Sequence, residues 1–264
     1  MDAAHPSAQA NSSGRLNGAV ALITGGASGI GLSVCETLAM EGASLAIADL
    51  DDARVQEAVR TADAVATGGE RLGLAVDIRE ERSVEAMVRQ TLDRFGRIDI
   101  LVAAAGILRG KGRSPKPMAQ ISLDEWNDVI GTNLRGTFLT NRAVLPVMIR
   151  QKSGQILNIS STSGRKGRAF DSVYCASKFG VIGLSESIAK EVEHYGIKVH
   201  VILPDAVNTP LWKQNGPIPC PPGSLTPGRV AQIILFLLLL PHDTVVSAPV
   251  VLPFRGGGRM MGSS

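Results

Sequence analysis

Tyr174 and Lys178, in the run Tyr174-Cys-Ala-Ser-Lys178, stand at i and i+4 and so share one face of a helix. A phenol with an ordinary pKa of about 10 is protonated at neutral pH. An ammonium one turn away favours the phenolate and draws that pKa toward the working range of an acid–base catalyst. On its own such a pair is common on solvated helix faces. This chain has only two tyrosines, and the other, Tyr195, has Val199 at i+4, so the pairing is not one of many.

A second chemical feature lies near the start. Thr24-Gly25-Gly26-Ala27-Ser28-Gly29-Ile30-Gly31 follows an apolar run and precedes a helical pattern. A glycine turn in that place lets backbone approach a pyrophosphate at the positive end of a helix. Its spacing is Gly-x-x-x-Gly-x-Gly, not Gly-x-Gly-x-x-Gly, and a lone turn of this kind serves equally well as a plain strand-to-helix connection. Asp49 closes the next apolar run, 18 residues beyond Gly31. A carboxylate there accepts hydrogen bonds from adenosine ribose hydroxyls and repels a 2′-phosphate. With Ser28, not a basic residue, before Gly29, the pattern favours NAD over NADP. The competing reading of Asp49 is a helix N-cap, a role open to Asp51 as well.

The elements that must carry these residues are legible as alternation. Apolar runs at Ala19–Ile23, Ser44–Ala48, Leu72–Val76, Ile100–Ala103, Gln155–Ile159, Lys198–Leu203 and Val245–Leu252 read as buried parallel strands. Helix-period stretches lie between them at Gly29–Met40, Asp52–Ala62, Glu80–Phe95, Leu123–Ile149 and Ser172–Tyr195, and a buried helix is expected at Val230–Leu240. The expected fold is a single-domain α/β, Rossmann-type doubly wound parallel sheet of about seven strands, with helices on both faces and ligands at the carboxyl ends of the strands. Residues 18–254 form the expected NAD-binding catalytic domain, between flexible tails at 1–17 and 255–264. A proline-rich stretch within 205–228 is too long for an ordinary connection and reads as a substrate loop or a plain surface loop.

Composition narrows the classes. A net charge of +3, from 27 Lys+Arg against 24 Asp+Glu, gives no basic stripe for a nucleic acid. The most apolar run, Val230–Leu240, falls short of the ~20 residues that span a bilayer, so no membrane partner is expected. Cys35, Cys175 and Cys220 are odd in number and lack metal-ligand spacing. Neither a disulfide framework nor a metal site is expected, and a reducing, cytoplasmic compartment fits best.

Together these elements resemble the short-chain dehydrogenase/reductase family, in its compact single-domain branch, over roughly residues 18–254. The resemblance implies that Ser161, 13 positions before Tyr174, and not its neighbour Ser160, orients the substrate oxygen. It implies that Asn133, in Gly131-Thr-Asn-Leu-Arg-Gly136, holds a water relay to Lys178. Asn133, Ser161, Tyr174 and Lys178 then form the catalytic set. The implied cofactor contacts are Gly25, Ser28, Gly29, Ile30, Gly31, Asp49, Asp77, Ile78, Ala104, Gly106, Tyr174, Lys178, Val207 and Thr209. The expected reaction is NAD-dependent interconversion of a secondary alcohol and a ketone, with Tyr174 as general acid/base, in a homodimer or homotetramer built on the long helices. Asp77 as a helix cap and Thr209 as a loop hydroxyl are the alternatives at those two positions.

Two departures support a second reading. Ala103-Ala104-Ala105-Gly106 stands where the family usually has Asn-Asn-Ala-Gly, and Pro204-Asp205 where it usually has Pro-Gly. The end, Leu252-Pro-Phe-Arg-Gly-Gly257, also differs from the usual Val-Asp-Gly-Gly. A charge close to the expected nicotinamide suggests a catalytically weak or inactive NAD-binding regulatory or scaffold protein. The expected substrate is a small alcohol or ketone. Arg109, Lys111, Arg113 and Lys116, with Arg165, Lys166 and Arg168, read either as attraction for an anionic substrate or as solvated loops. Trp212 and Phe170 are candidate apolar walls.

Overall fold

Valine, isoleucine and leucine dominate the strands because both faces of the sheet are covered, which requires near-continuous apolar runs. In a computed structural model that describes residues 14–110 and 112–254, seven parallel strands run in the order β3-β2-β1-β4-β5-β6-β7. They are β1 (Val20–Thr24), β2 (Ser44–Asp49), β3 (Arg71–Ala75), β4 (Ile100–Ala103), β5 (Gly154–Ile159), β6 (Ile197–Pro204) and β7 (Val250–Val251). The chain builds outward from β1 to β3, then returns to the other side of β1 with β4. The carboxyl ends of β1 and β4 therefore flank the reversal point, where α/β sheets bind ligands.

Alternation along the strands feeds two cores. Ala21 and Ile23 of β1 face a cluster with Val34 and Leu38 of α1 (Gly29–Met40) and Ile234 of α7 (Pro227–Leu238). Leu22 points the other way, to Met87 of α3 (Glu81–Phe95), Val144 and Met148 of α5 (Gly136–Gln151) and Ile188 of α6 (Ser172–Val192). The remaining helices are α2 (Asp52–Val65) and α4 (Leu123–Ile130). The helix expected over Leu123–Ile149 is continuous but carries a π-helical turn at Gly131–Arg135, the segment that holds Asn133. Such turns bulge a helix and commonly mark functional positions.

Two expectations need correction. The strand expected over Val245–Leu252 shrinks to Val250–Val251, because Ala248 takes φ +44° and Pro249 has no N–H to donate. The loose tail expected through residue 17 is packed from Gly14 onward. Leu16 is buried, its N–H donates to the Glu41 carbonyl (2.8 Å), and Arg15 pairs with Glu41. The rest of both expected tails, residues 1–13 and 255–264, lies outside the described residues. Among those described, no helix is long and apolar enough to cross a membrane, and Cys35, Cys175 and Cys220 are free.

Candidate active site

The glycine turn closes against the β4 loop across the reversal point. Gly25 has φ +68°, and a Cβ there would stand 2.6 Å from the Ala105 backbone. A Cβ on Gly31 would lie 2.1 Å from the Gly25 carbonyl oxygen, so only glycine lets the turn run into α1. Ser28 is the N-cap of α1 without a side-chain capping bond, and Ile30 lies in its first turn. The side chain of Thr209, from the loop after β6, would touch a Cβ on Gly29 at 3.2 Å. That loop therefore lies over the turn.

Asp49 ends β2 beside the turn. Its carboxylate accepts from Ala27 N–H (3.1 Å) and Leu50 N–H (2.7 Å). The cap of α2 is Asp51, which accepts from Arg54 N–H (3.2 Å), so capping is not what Asp49 does. Asp77 does not cap α3, whose N-cap is Glu80. It accepts from Arg79 N–H (3.0 Å) and pairs with the Arg79 guanidinium (2.6 Å), which holds its carboxyl below the usual range. Ile78 is buried under Gly136 of α5. Ala104 N–H donates to the Thr24 carbonyl (3.1 Å), a backbone bond that the missing family amide does not affect.

Tyr174 and Lys178 lie in the first two turns of α6, with Ser161 just past the end of β5. The Ser161 hydroxyl stands beside the Tyr174 phenol, where it acts to lower the phenol's pKa, and accepts from Ser163 N–H (3.1 Å). Ser160 faces away and donates to the Lys178 carbonyl (2.8 Å). The buried Lys178 Nζ donates to the Ile159 carbonyl (2.9 Å) and stands 5.7 Å from the centre of the Tyr174 ring. Burial lowers its pKa to about 8. Burial also pushes the Tyr174 phenol up to about 12, outweighing the lowering by the neighbouring Ser161 hydroxyl. This reverses the downward shift expected from the i, i+4 ammonium. Lys178 is itself buried and directs its protons at the strand carbonyl.

Asn133 is fully buried, and its side-chain hydrogen bonds go to Ile107 and Ser177, not to Lys178. Its Oδ1 accepts from Ile107 N–H (2.8 Å), while Nδ2 donates to the Ile107 carbonyl (2.8 Å) and Ser177 Oγ (3.0 Å). It thereby pins the β4 loop to α6, with Gly106 against both Asn133 and Lys178. The buried Val207 bridges to Leu225 and accepts at its carbonyl from Trp212 Nε1 (2.9 Å), so Trp212 is held within its own loop.

Asp205 and most of the loop cations are partnered. Asp205 accepts from Thr162 Oγ1 (3.0 Å) and from Arg168 Nη2 (2.9 Å), so its charge is balanced within the loop after β5. Arg109 pairs with Asp171, and Lys116 (2.7 Å) and Arg113 (4.0 Å) with Glu125. Arg165 donates to the Ala248 carbonyl (3.1 Å), and Lys166 is exposed. Lys111 lies outside the described residues. The Arg109–Asp171 and Lys116–Glu125 pairs and Phe170 line a cleft that Tyr174 also lines. Sequence reasoning missed Asp171, Asn215 and Ile107. Each is bonded to a residue distant in sequence, so no local spacing marks it.

A glycine turn and an acidic strand end across a reversal point, with a Ser–Tyr–Lys group opposite, define a nucleotide-dependent α/β oxidoreductase. The short chain dehydrogenase family model matches residues 19–217, and the chain belongs to that family. It is 40% identical over 200 residues to the D-threitol dehydrogenase of Mycolicibacterium smegmatis, covering 75% of this chain and 73% of that one. The structure of levodione reductase superposes with a TM-score of 0.82 at 34% identity, covering 90% of this chain and 96% of that one. The 3-ketoacyl-(acyl-carrier-protein) reductase of Brucella melitensis, complexed with NADH, superposes at 0.81 with 30% identity and coverages of 91% and 99%. A metagenomic short-chain oxidoreductase in complex with NADP gives 0.77, 29%, 90% and 98%.

Proposed function

We propose that this chain is an NAD-dependent oxidoreductase that interconverts a secondary alcohol and a ketone, with Tyr174 as the proton-transfer group. The observation that carries this reading is the placement of the Ser161 hydroxyl beside the Tyr174 phenol, which itself lines the cleft. A ketone oxygen seated between the two receives hydrogen bonds from both. Bound nicotinamide supplies or accepts the hydride. On reduction Tyr174 passes its proton to the new alkoxide, and on oxidation it takes the alcohol proton. Lys178 would hold the nicotinamide ribose, and the positive charge of oxidised nicotinamide would favour the phenolate in the oxidation direction. Asn133 holds the Gly106–Ile107 backbone beside Lys178, where a water relay to solvent would start.

The residues fit the cofactor. The turn has no room for a Cβ at Gly25 or Gly31, and Asp49 presents an acceptor beside it. One structural neighbour binds NADH and another NADP, so in this chain Asp49 supports the choice of NAD. The remaining cofactor contacts proposed are Ser28, Gly29, Ile30, Asp77, Ile78, Ala104, Gly106, Val207 and Thr209.

Pairing of Arg109, Arg113, Lys116 and Arg168 with carboxylates favours a neutral substrate over an anionic one. The same pairing of Asp205 weakens the case for an NAD-binding scaffold protein, because the charge that motivated it is neutralised. A panel of neutral and carboxylated secondary alcohols and their ketones, assayed with NAD(H) and NADP(H), tests the reading. NAD-linked turnover of neutral members is expected. Tight NADH binding with no turnover across the panel would favour the scaffold protein instead.

A further inference from the structure

Three segments that are far apart in sequence meet at one side chain beside the catalytic tyrosine. The Arg109 guanidinium, almost buried, donates through Nη1 to Asn215 Oδ1 (3.0 Å), in the long loop after β6. Through Nη2 it donates to the Phe170 carbonyl (3.2 Å) and pairs with the Asp171 carboxylate, immediately before α6. The adjoining backbone is held as well. Gln214 Oε1 accepts from both Leu108 N–H (2.8 Å) and Arg109 N–H (3.1 Å).

Phe170 itself is unusual. It has φ +67°, a left-handed conformation that non-glycine residues seldom adopt, yet the residue is 56% exposed and lines the same cleft as Tyr174. No core burial compensates for that backbone. It persists because Arg109 binds the Phe170 carbonyl and the Asp171 carboxylate while Asp171 N–H donates to the Arg168 carbonyl (3.2 Å). Strain held in place by several bonds at the mouth of a site points to a function for the group it places.

We propose that Arg109 is a positioning residue. It latches the loop carrying Gln214 and Asn215 to the start of α6 and fixes Phe170 as the wall that limits the bulk a ketone carries beside its reacting carbon. The latch stands on the contacts above, whereas the wall rests on the ketone–alcohol reading. Arginine suits the role because a planar fork reaches three acceptors at once, which a lysine ammonium on a flexible stem does not do in the same geometry.

The test uses the full chain with Arg109→Lys, Gln214→Leu, Phe170→Ala and the Arg109→Lys/Phe170→Ala double variant. Hydrogen exchange at the Leu108 amide reads the latch without any turnover, and should quicken by about tenfold or more in Arg109→Lys and Gln214→Leu. The wall is read as the ratio of kcat/KM for a phenyl methyl ketone to that for a dialkyl ketone of small size, with NADH. Phe170→Ala should shift that ratio toward the bulky ketone by about tenfold. Arg109→Lys should shift it in the same direction, the double variant no further than Phe170→Ala alone, and NADH affinity should stay within about threefold in all. Unchanged Leu108 exchange in Arg109→Lys would overturn the latch. An unchanged ratio in Phe170→Ala, or fully additive effects, would overturn the wall. A wild-type protein that turns over neither ketone would contradict the proposed function and the wall together, leaving the latch to be decided by exchange alone.

Discussion

Lys178 is the residue whose burial has the clearest thermodynamic consequence. It titrates at about 8 in the folded chain against 10.5 as a free side chain. Between those values the unfolded chain binds more protons than the folded one, so this group makes stability rise with pH there. Below pH 8 both forms are charged and the penalty is constant. At 1.4 kcal/mol per pKa unit the gain is on the order of 3 kcal/mol. Urea unfolding should therefore show wild type gaining on Lys178→Met by roughly that amount between about pH 8 and 10.5. A constant difference between the two proteins across this range would show that Lys178 is not buried as described. Tyr174 runs the opposite way, with stability falling as pH rises from 10.0 toward about 12, because the fold keeps a proton that the unfolded chain loses.

At the scale of elements, the β1–α1 turn is the tightest constraint. Gly31→Ala would place a Cβ 2.1 Å from the Gly25 carbonyl, which forces the turn apart. It should lower unfolding stability by about 1–3 kcal/mol and weaken NADH binding by about tenfold or more, read by thermal unfolding and fluorescence titration. Normal NADH affinity would mean that the turn does not hold the cofactor. Much of this level was legible in the sequence. Parallel strands buried on both faces write themselves as apolar runs, and α1 was predicted at the bounds it has, Gly29–Met40. β7 was not, because Val245–Ser247 are apolar enough for a strand while the backbone at Ala248 and Pro249 forbids one. The π-helical turn at Asn133 was also hidden, since one extra residue in a turn leaves no mark in a short periodic pattern. Of the site, the serine, tyrosine, lysine and aspartate could be picked out because their spacing is local or family-like. Arg109 with Asp171, and Arg168 with Asp205, could not be, since these pairs join loops 62 and 37 residues apart.

At the scale of the whole molecule, the two long helices α5 and α6 each leave an aromatic side chain outside: Phe138 on α5, 40% exposed, and Phe179 on α6, 48% exposed. Exposed aromatic groups on adjacent helices are costly in an isolated chain and suit a subunit interface. Light scattering should give a mass two or four times the 27.7 kDa of one chain, and Phe179→Arg should reduce it. A wild-type protein of single-chain mass at micromolar concentration would contradict a homodimer or homotetramer built on these helices.

The central claim is that the proton moves through Tyr174, and the most direct measurement pairs turnover with cofactor affinity in Tyr174→Phe. NAD-linked interconversion of a neutral alcohol and its ketone should fall by about a thousandfold or more, while NADH affinity stays within about threefold of wild type. Turnover retained near the wild-type rate in Tyr174→Phe would contradict it.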